Sequence, residues 1–99
     1  MPTLTPDDVA RFARLLAETV LEHHGQWTTS TPGIVGLAAA RLPGHTASTG
    51  FGSATRAIRA AEPLLADYGI SVRANRPHGQ PRRWTFALTH MPTLDLAAA

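Results

Sequence analysis

Cysteine is missing from this 99-residue chain, and so is lysine: all nine basic residues are Arg. Without Cys there can be no disulfide and no thiolate metal site, and the redox compartment stays open. No apolar run approaches the roughly 20 residues needed to span a bilayer, and the first residues do not place a basic stretch ahead of an apolar one. A soluble, cytoplasmic chain without a membrane partner is therefore expected. Aromatic residues are few, at 6 %, but the 43 % apolar content is enough for one modest core. The expectation is one domain over residues 6–89, followed by a flexible tail over 90–99.

Acid is also scarce, and its distribution is uneven. Residues 1–50 hold Arg11, Arg14 and Arg41 against Asp7, Asp8, Glu18 and Glu22, whereas residues 51–99 hold six Arg against Glu62, Asp67 and Asp95. Between Tyr68 and Pro92 there are four Arg and no acid. A local excess of guanidinium matters more to a polyanion than the formal net charge of +2. Guanidinium also grips phosphate and the guanine edge in bidentate fashion, which an ammonium group does not.

Hydrophobic spacing divides the chain into helices and strands. Thr5, Pro6, Asp7 and Asp8 make a helix start, with Thr5 as cap and two acids at the positive end of the dipole. Val9, Phe12, Ala13, Leu16 and Val20 recur at helical spacing with Leu15 beside them, predicting a helix over about 6–24 that stops at Gly25. Trp27 sits in a short segment, 26–29, suited to a brief third strand. Ser30, Thr31 and Pro32 open a second helix carrying Ile34, Val35, Leu37, Ala38 and Leu42, despite Gly33 and Gly36, each of which costs roughly 1 kcal/mol relative to Ala. Residues 43–52 read as a polar, glycine-rich connection anchored by Phe51, longer than the tightest helix-turn-helix turn. Ser53 is expected to cap a third helix whose buried stripe is Ala54, Ala57, Ile58, Ala61 and Leu65. Pro63 predicts a kink or a new segment, and Gly69 a C-terminal stop.

After Gly69 the period drops from 3.6 to 2. Ile70, Val72 and Ala74 alternate with Ser71, Arg73 and Asn75; Trp84, Phe86 and Leu88 alternate with Arg83, Thr85 and Ala87. Two strands with one apolar face each are expected, joined by a tip of Pro77, His78, Gly79, Gln80 and Pro81.

Catalytic and metal chemistry finds little to work with. Asp7 and Asp8 serve helix capping, and Glu18 and Glu22 lie one turn apart on an exposed face. No Ser, His and acid pattern or phosphate-binding glycine loop is present. His23 and His24 are adjacent, so they point about 100° apart on a helix, and no His-x-x-x-His pair occurs. The five His are expected at the surface or at helix ends. The chain reads as a non-enzyme without cofactor or metal.

Binding of nucleic acid accounts for more of the pattern. Arg56 and Arg59 lie three apart on the third helix, outside its apolar stripe. Thr49, Ser53 and Thr55 cluster near its N-terminus, where hydroxyls and the dipole suit phosphate. Arg73, Asn75, Arg76, Arg82 and Arg83 would form the electrostatic surface of the hairpin. Phosphate contacts of this kind give affinity and register, and a few side chains on an inserted helix read base edges. Capping of Ser53 and pairing of Arg59 or Arg56 with Glu62 are the plain structural alternatives. Trp27, Tyr68, Trp84 and Phe86 fall in apolar alternation, which favours core packing over base stacking.

The order helix, helix, helix, strand, turn, strand, with the run Ala54 to Ile70 followed by Val72, Arg73, Arg76, Arg82, Arg83 and Trp84, resembles the winged helix-turn-helix superfamily. It is similar to the small modules that close many plasmid- and phage-type primase or replication proteins. The resemblance implies an α+β fold, a three-helix core with a two- or three-stranded hairpin wing. It also implies a double-stranded DNA partner, with the third helix in the major groove and the Arg-rich wing on the backbone, in transcription regulation or replication. The alternative is the same fold used as a dimerisation or protein-interaction module of a larger replication assembly, through the first helix and the Ala-rich second helix.

Overall fold

The computed structural model describes residues 5–76, 78–80 and 82–89, with the side chain of Phe51 excepted. The expected tail over 90–99, the prolines at 77 and 81 and the anchoring role of the Phe51 ring lie outside that description. Three α-helices, α1 (Pro6–Glu22), α2 (Thr31–Arg41) and α3 (Phe51–Asp67), and three strands, β1 (Gln26–Ser30), β2 (Ile70–Asn75) and β3 (Arg83–Leu88), follow in the order α1, β1, α2, α3, β2, β3. This is the α+β winged-helix topology: three helices and a C-terminal antiparallel hairpin, with β1 completing a three-stranded sheet of order β1-β3-β2.

The ends of α1 show how local chemistry sets the elements. Thr5 accepts from the Asp8 amide at 3.1 Å while the Asp8 carboxylate receives the Thr5 amide at 3.4 Å, a reciprocal capping box. The helix stops at Glu22, two residues short of the expected 24. His24 takes a left-handed φ of 62°, so that its amide reaches the Leu21 carbonyl and the Gly25 amide reaches that of Val20. That pair of bonds is a Schellman ending, with His24 in the place where glycine is usual.

Between α1 and α2 there is no loop to spare. Ser30 ends β1, pairs with Arg83, and accepts the Gly33 amide at 3.3 Å as the cap of α2. Gly33 is explained by its surroundings, since a Cβ there would run into the Thr29 hydroxyl; Gly36 faces open space.

The connection to α3 is more ordered than its composition suggests. A 3₁₀ turn, Thr46–Ser48, is capped by His45. The His45 ring is buried, with Nδ1 receiving the Ala47 amide at 3.0 Å and Nε2 placed 2.9 Å from the Asp8 carbonyl. Because Nδ1 must accept, Nε2 carries the proton and donates to Asp8. The ring also stacks on Phe12 with centroids 5.7 Å apart. His45 thus stands at a helix end, as expected, but its ring is buried, and it joins the loop to the first turn of α1.

Two expectations for α3 are corrected. Its N-cap is Gly50 and carries no side-chain bond, so Ser53 is the third helical residue and not the cap. The helix also runs unbroken through Pro63. Ala61 and Leu65 on either side of it are fully buried while Pro63 itself is exposed, so no new segment starts there. The helix ends at Asp67, and Gly69 just past its cap, with φ of 79°, supplies the left-handed stop.

The sheet has two chemically different faces. Towards the helices point Trp27, Phe86 and Val72 in one rung and Thr29, Trp84 and Ala74 in the next. Trp84 and Phe86 are fully buried, and Trp27 stacks on Phe86 with centroids 5.5 Å apart. They close a core built from Phe12, Leu16 and Val20 of α1, Ile34 and Ala38 of α2, and Ala57, Ile58 and Leu65 of α3. On the other face the rungs read Gln26–Ala87–Ser71, Thr28–Thr85–Arg73 and Ser30–Arg83–Asn75.

Candidate nucleic-acid interface

Pairing with carboxylates separates the arginines into two groups. Among the described residues the ion pairs are Arg11–Asp7 at 3.5 Å, Arg14–Glu18 at 3.1 Å and Arg59–Glu62 at 2.6 Å, all one helical turn apart on α1 and α3. Arg41 of α2, Arg56, Arg73, Arg76, Arg82 and Arg83 have no carboxylate within 4.0 Å among the described residues. For the hairpin arginines this follows in part from sequence, since no acid occurs between residues 68 and 92.

A tryptophan joins hairpin to helices. The Trp84 indole N–H donates to the Thr31 hydroxyl at 3.0 Å, and Thr31 in turn donates to the Arg82 carbonyl through its amide at 3.1 Å and its hydroxyl at 3.3 Å. Thr31 is the first residue of α2 and Arg82 precedes β3, so three bonds pin the hairpin base to the start of the second helix. Over the same indole lie two guanidinium carbons, Arg59 of α3 at 5.1 Å and Arg82 at 5.6 Å from the ring centroid. Cation–π attraction of this kind is worth about 0.5–2 kcal/mol, and it holds both charges at the junction of α3 and the wing.

Each residue singled out from the sequence has a definite place. Arg56 and Arg59 are exposed on α3, and Arg59 makes the pair with Glu62 foreseen as its structural alternative. Thr49 is exposed after the 3₁₀ turn, where its hydroxyl donates to the Thr46 carbonyl at 2.7 Å. Ser53 and Thr55 are half-buried on the first turns of α3, which begins without a side-chain cap and so leaves its leading amides to solvent or a ligand. Arg82 lies half-buried against Trp84 on the helix-facing side, and Arg76 is exposed beyond the end of β2. Arg73, Asn75 and Arg83 are exposed on the opposite face of the sheet. Adjacent Arg82 and Arg83 therefore serve different surfaces.

Sequence reasoning missed Thr31 and His45. Thr31 is buried because it answers an indole 53 positions away, and the signal available for it was the tryptophan: a buried Trp needs an acceptor for its N–H. Trp27, Trp84 and Phe86 pack as the alternation implied, while Tyr68 is 44 % exposed at the end of α3. Among the described residues no three His, Cys, Asp or Glu side chains come together to hold a metal ion, and no helix is long and apolar enough to cross a membrane. No protein-family model, curated protein or solved structure matches this chain.

Proposed function

We propose that this domain binds double-stranded DNA, presenting α3 to the major groove and the base of the hairpin to the adjoining backbone. The observation that carries the reading is the set of guanidinium groups left without carboxylates beside α3, together with their anchorage: Arg82 is held on Trp84, next to Arg59, in a domain of winged-helix topology. Arg76 and Arg82 would supply sequence-blind phosphate contacts, and Arg56 a base-edge or phosphate contact from the exposed side of α3. The amides leading α3, with Ser53 and Thr55 beside them, suit a phosphate at the positive end of the dipole. A role in transcription regulation or in plasmid- or phage-type replication fits such a reader.

Titration of salt against binding to random duplex and single-stranded DNA tests the proposal. Affinity for duplex should fall steeply with salt, and the joint Arg76→Ala, Arg82→Ala variant should flatten the log–log slope by about 2. Arg56→Ala should also blunt sequence preference. Absence of binding to either form at low salt would remove the reading.

A second reading, self-association or docking on a larger assembly, has its own support. Leu21 at the end of α1 is 58 % exposed, and Ala39 and Ala40 of α2 are exposed. Sedimentation velocity across a concentration series tests it directly. A homodimer that binds paired half-sites would satisfy both readings.

A further inference from the structure

Strand register puts Arg73 and Arg83 on the side of the sheet that faces away from α3. Arg83 lies opposite Asn75 and Arg73 opposite Thr85, so the two guanidiniums are diagonal neighbours, a relation that places backbones about 7–8 Å apart. The other outward positions carry two amides, four hydroxyls and one alanine, with no acid and no aromatic ring. Arg73, Arg83, Asn75 and Gln26 are exposed. Among the described residues the outward positions of the strands offer no aromatic ring as a platform for a base and no large apolar side chain.

The Ser71 hydroxyl donates to the Ala87 carbonyl and those of Thr28 and Thr85 bond each other, so the guanidiniums of Arg73 and Arg83 with the amides of Asn75 and Gln26 are the main donors left to a ligand. That array matches an acceptor that is anionic, repeating and free of apolar groups, as phosphodiester oxygens are. The Arg82 side chain cannot share this work, because it is committed to Trp84 on the other side. We infer that the outward face of the sheet is a second backbone-binding surface, centred on Arg73 and Arg83, whose partner is a nucleic-acid strand other than the segment held beside α3. The inference rests on the DNA-binding reading above and adds to it a bridging capacity: one copy of the domain holds two backbone segments.

The test uses the full chain and two short random-sequence duplexes. One duplex is immobilised, saturated with protein at low salt and washed; the other carries a fluorophore and is then titrated. The wild-type protein should capture the labelled duplex. The joint Arg73→Ala, Arg83→Ala variant should lose that capture by at least about tenfold while its retention on the immobilised duplex falls much less, since two phosphate contacts are removed from one surface only. Matching thermal unfolding curves show that the variant is folded, as expected for two exposed side chains without bonds to the core.

Capture by the variant equal to wild type would overturn the inference, and is the outcome if paired copies bridge through α3 instead. Retention on the first duplex without any wild-type capture of the second would overturn it too. So would displacement of the labelled duplex by polyglutamate as readily as by single-stranded DNA of equal charge, which would assign the face to carboxylates. If the immobilised duplex retains no protein, the DNA reading itself falls, and that result is distinct from the others.

Discussion

Helix α1 and the hairpin use the same residue type in opposite ways. Arg11 and Arg14 each sit one turn from an acid and pair with it, while Arg73, Arg76 and Arg83 stand in a stretch with no acid and pair with none among the described residues. Exposed i,i+4 pairs stabilise a helix by about 0.3–0.5 kcal/mol and take the charge out of play. A guanidinium without a partner adds nothing to the fold and keeps its full attraction for an anion. A count of arginines sets two on α1 against four in the hairpin; their pairing separates the two regions further.

The sharpest way to break the comparison is to undo the joint between the two regions. Trp84→Ala removes a fully buried indole and its bond to Thr31, and should cost about 3–5 kcal/mol in urea unfolding. Duplex affinity should fall with it, because Arg82 loses its seat beside α3. Within the helical half, His45→Ala strips the Ala47 amide and the Asp8 carbonyl of their partner and should cost about 2 kcal/mol. His45→Asn, which can still cap Ala47 but cannot reach Asp8, should recover part of that loss in the same unfolding measurement.

Charge variants test the comparison more directly. Arg11→Ala with Arg14→Ala should leave duplex affinity within about twofold and the salt slope unchanged, in contrast with the drop of about 2 in slope expected for Arg76→Ala with Arg82→Ala. Equal losses from both pairs, read by fluorescence anisotropy, would show that pairing on α1 does not neutralise its arginines. The smallest effect concerns the end of α1: His24→Gly relieves a left-handed φ of 62° and should raise stability by about 0.5–1 kcal/mol, with no change in DNA affinity.

Most of the architecture could be read from spacing. The change from period 3.6 to period 2 at Gly69 marked the passage from α3 to β2, and Thr5, Ser30 and Gly69 act at the helix ends where their chemistry put them. What escaped depended on distant partners. His45 answers a carbonyl 37 positions away and Thr31 an indole 53 away, separations that no local pattern encodes. Ser53 looked like a cap because serine suits one, but α3 starts earlier, at Phe51, where the 3₁₀ turn delivers the chain. The grouping of Arg73, Arg82 and Arg83 into one wing surface overlooked information the sequence did hold: alternation sends Arg83 to the face opposite Trp84, and Arg82 stays with the indole.

Ser30 carries a consequence of its own. One residue is the last rung of a strand and the first stay of a helix, so the sheet and α2 are coupled without slack, and any roll of the hairpin must swing the axis of α2 with it. A single residue inserted after Ser30 would uncouple them, leaving two sound parts that no longer turn together.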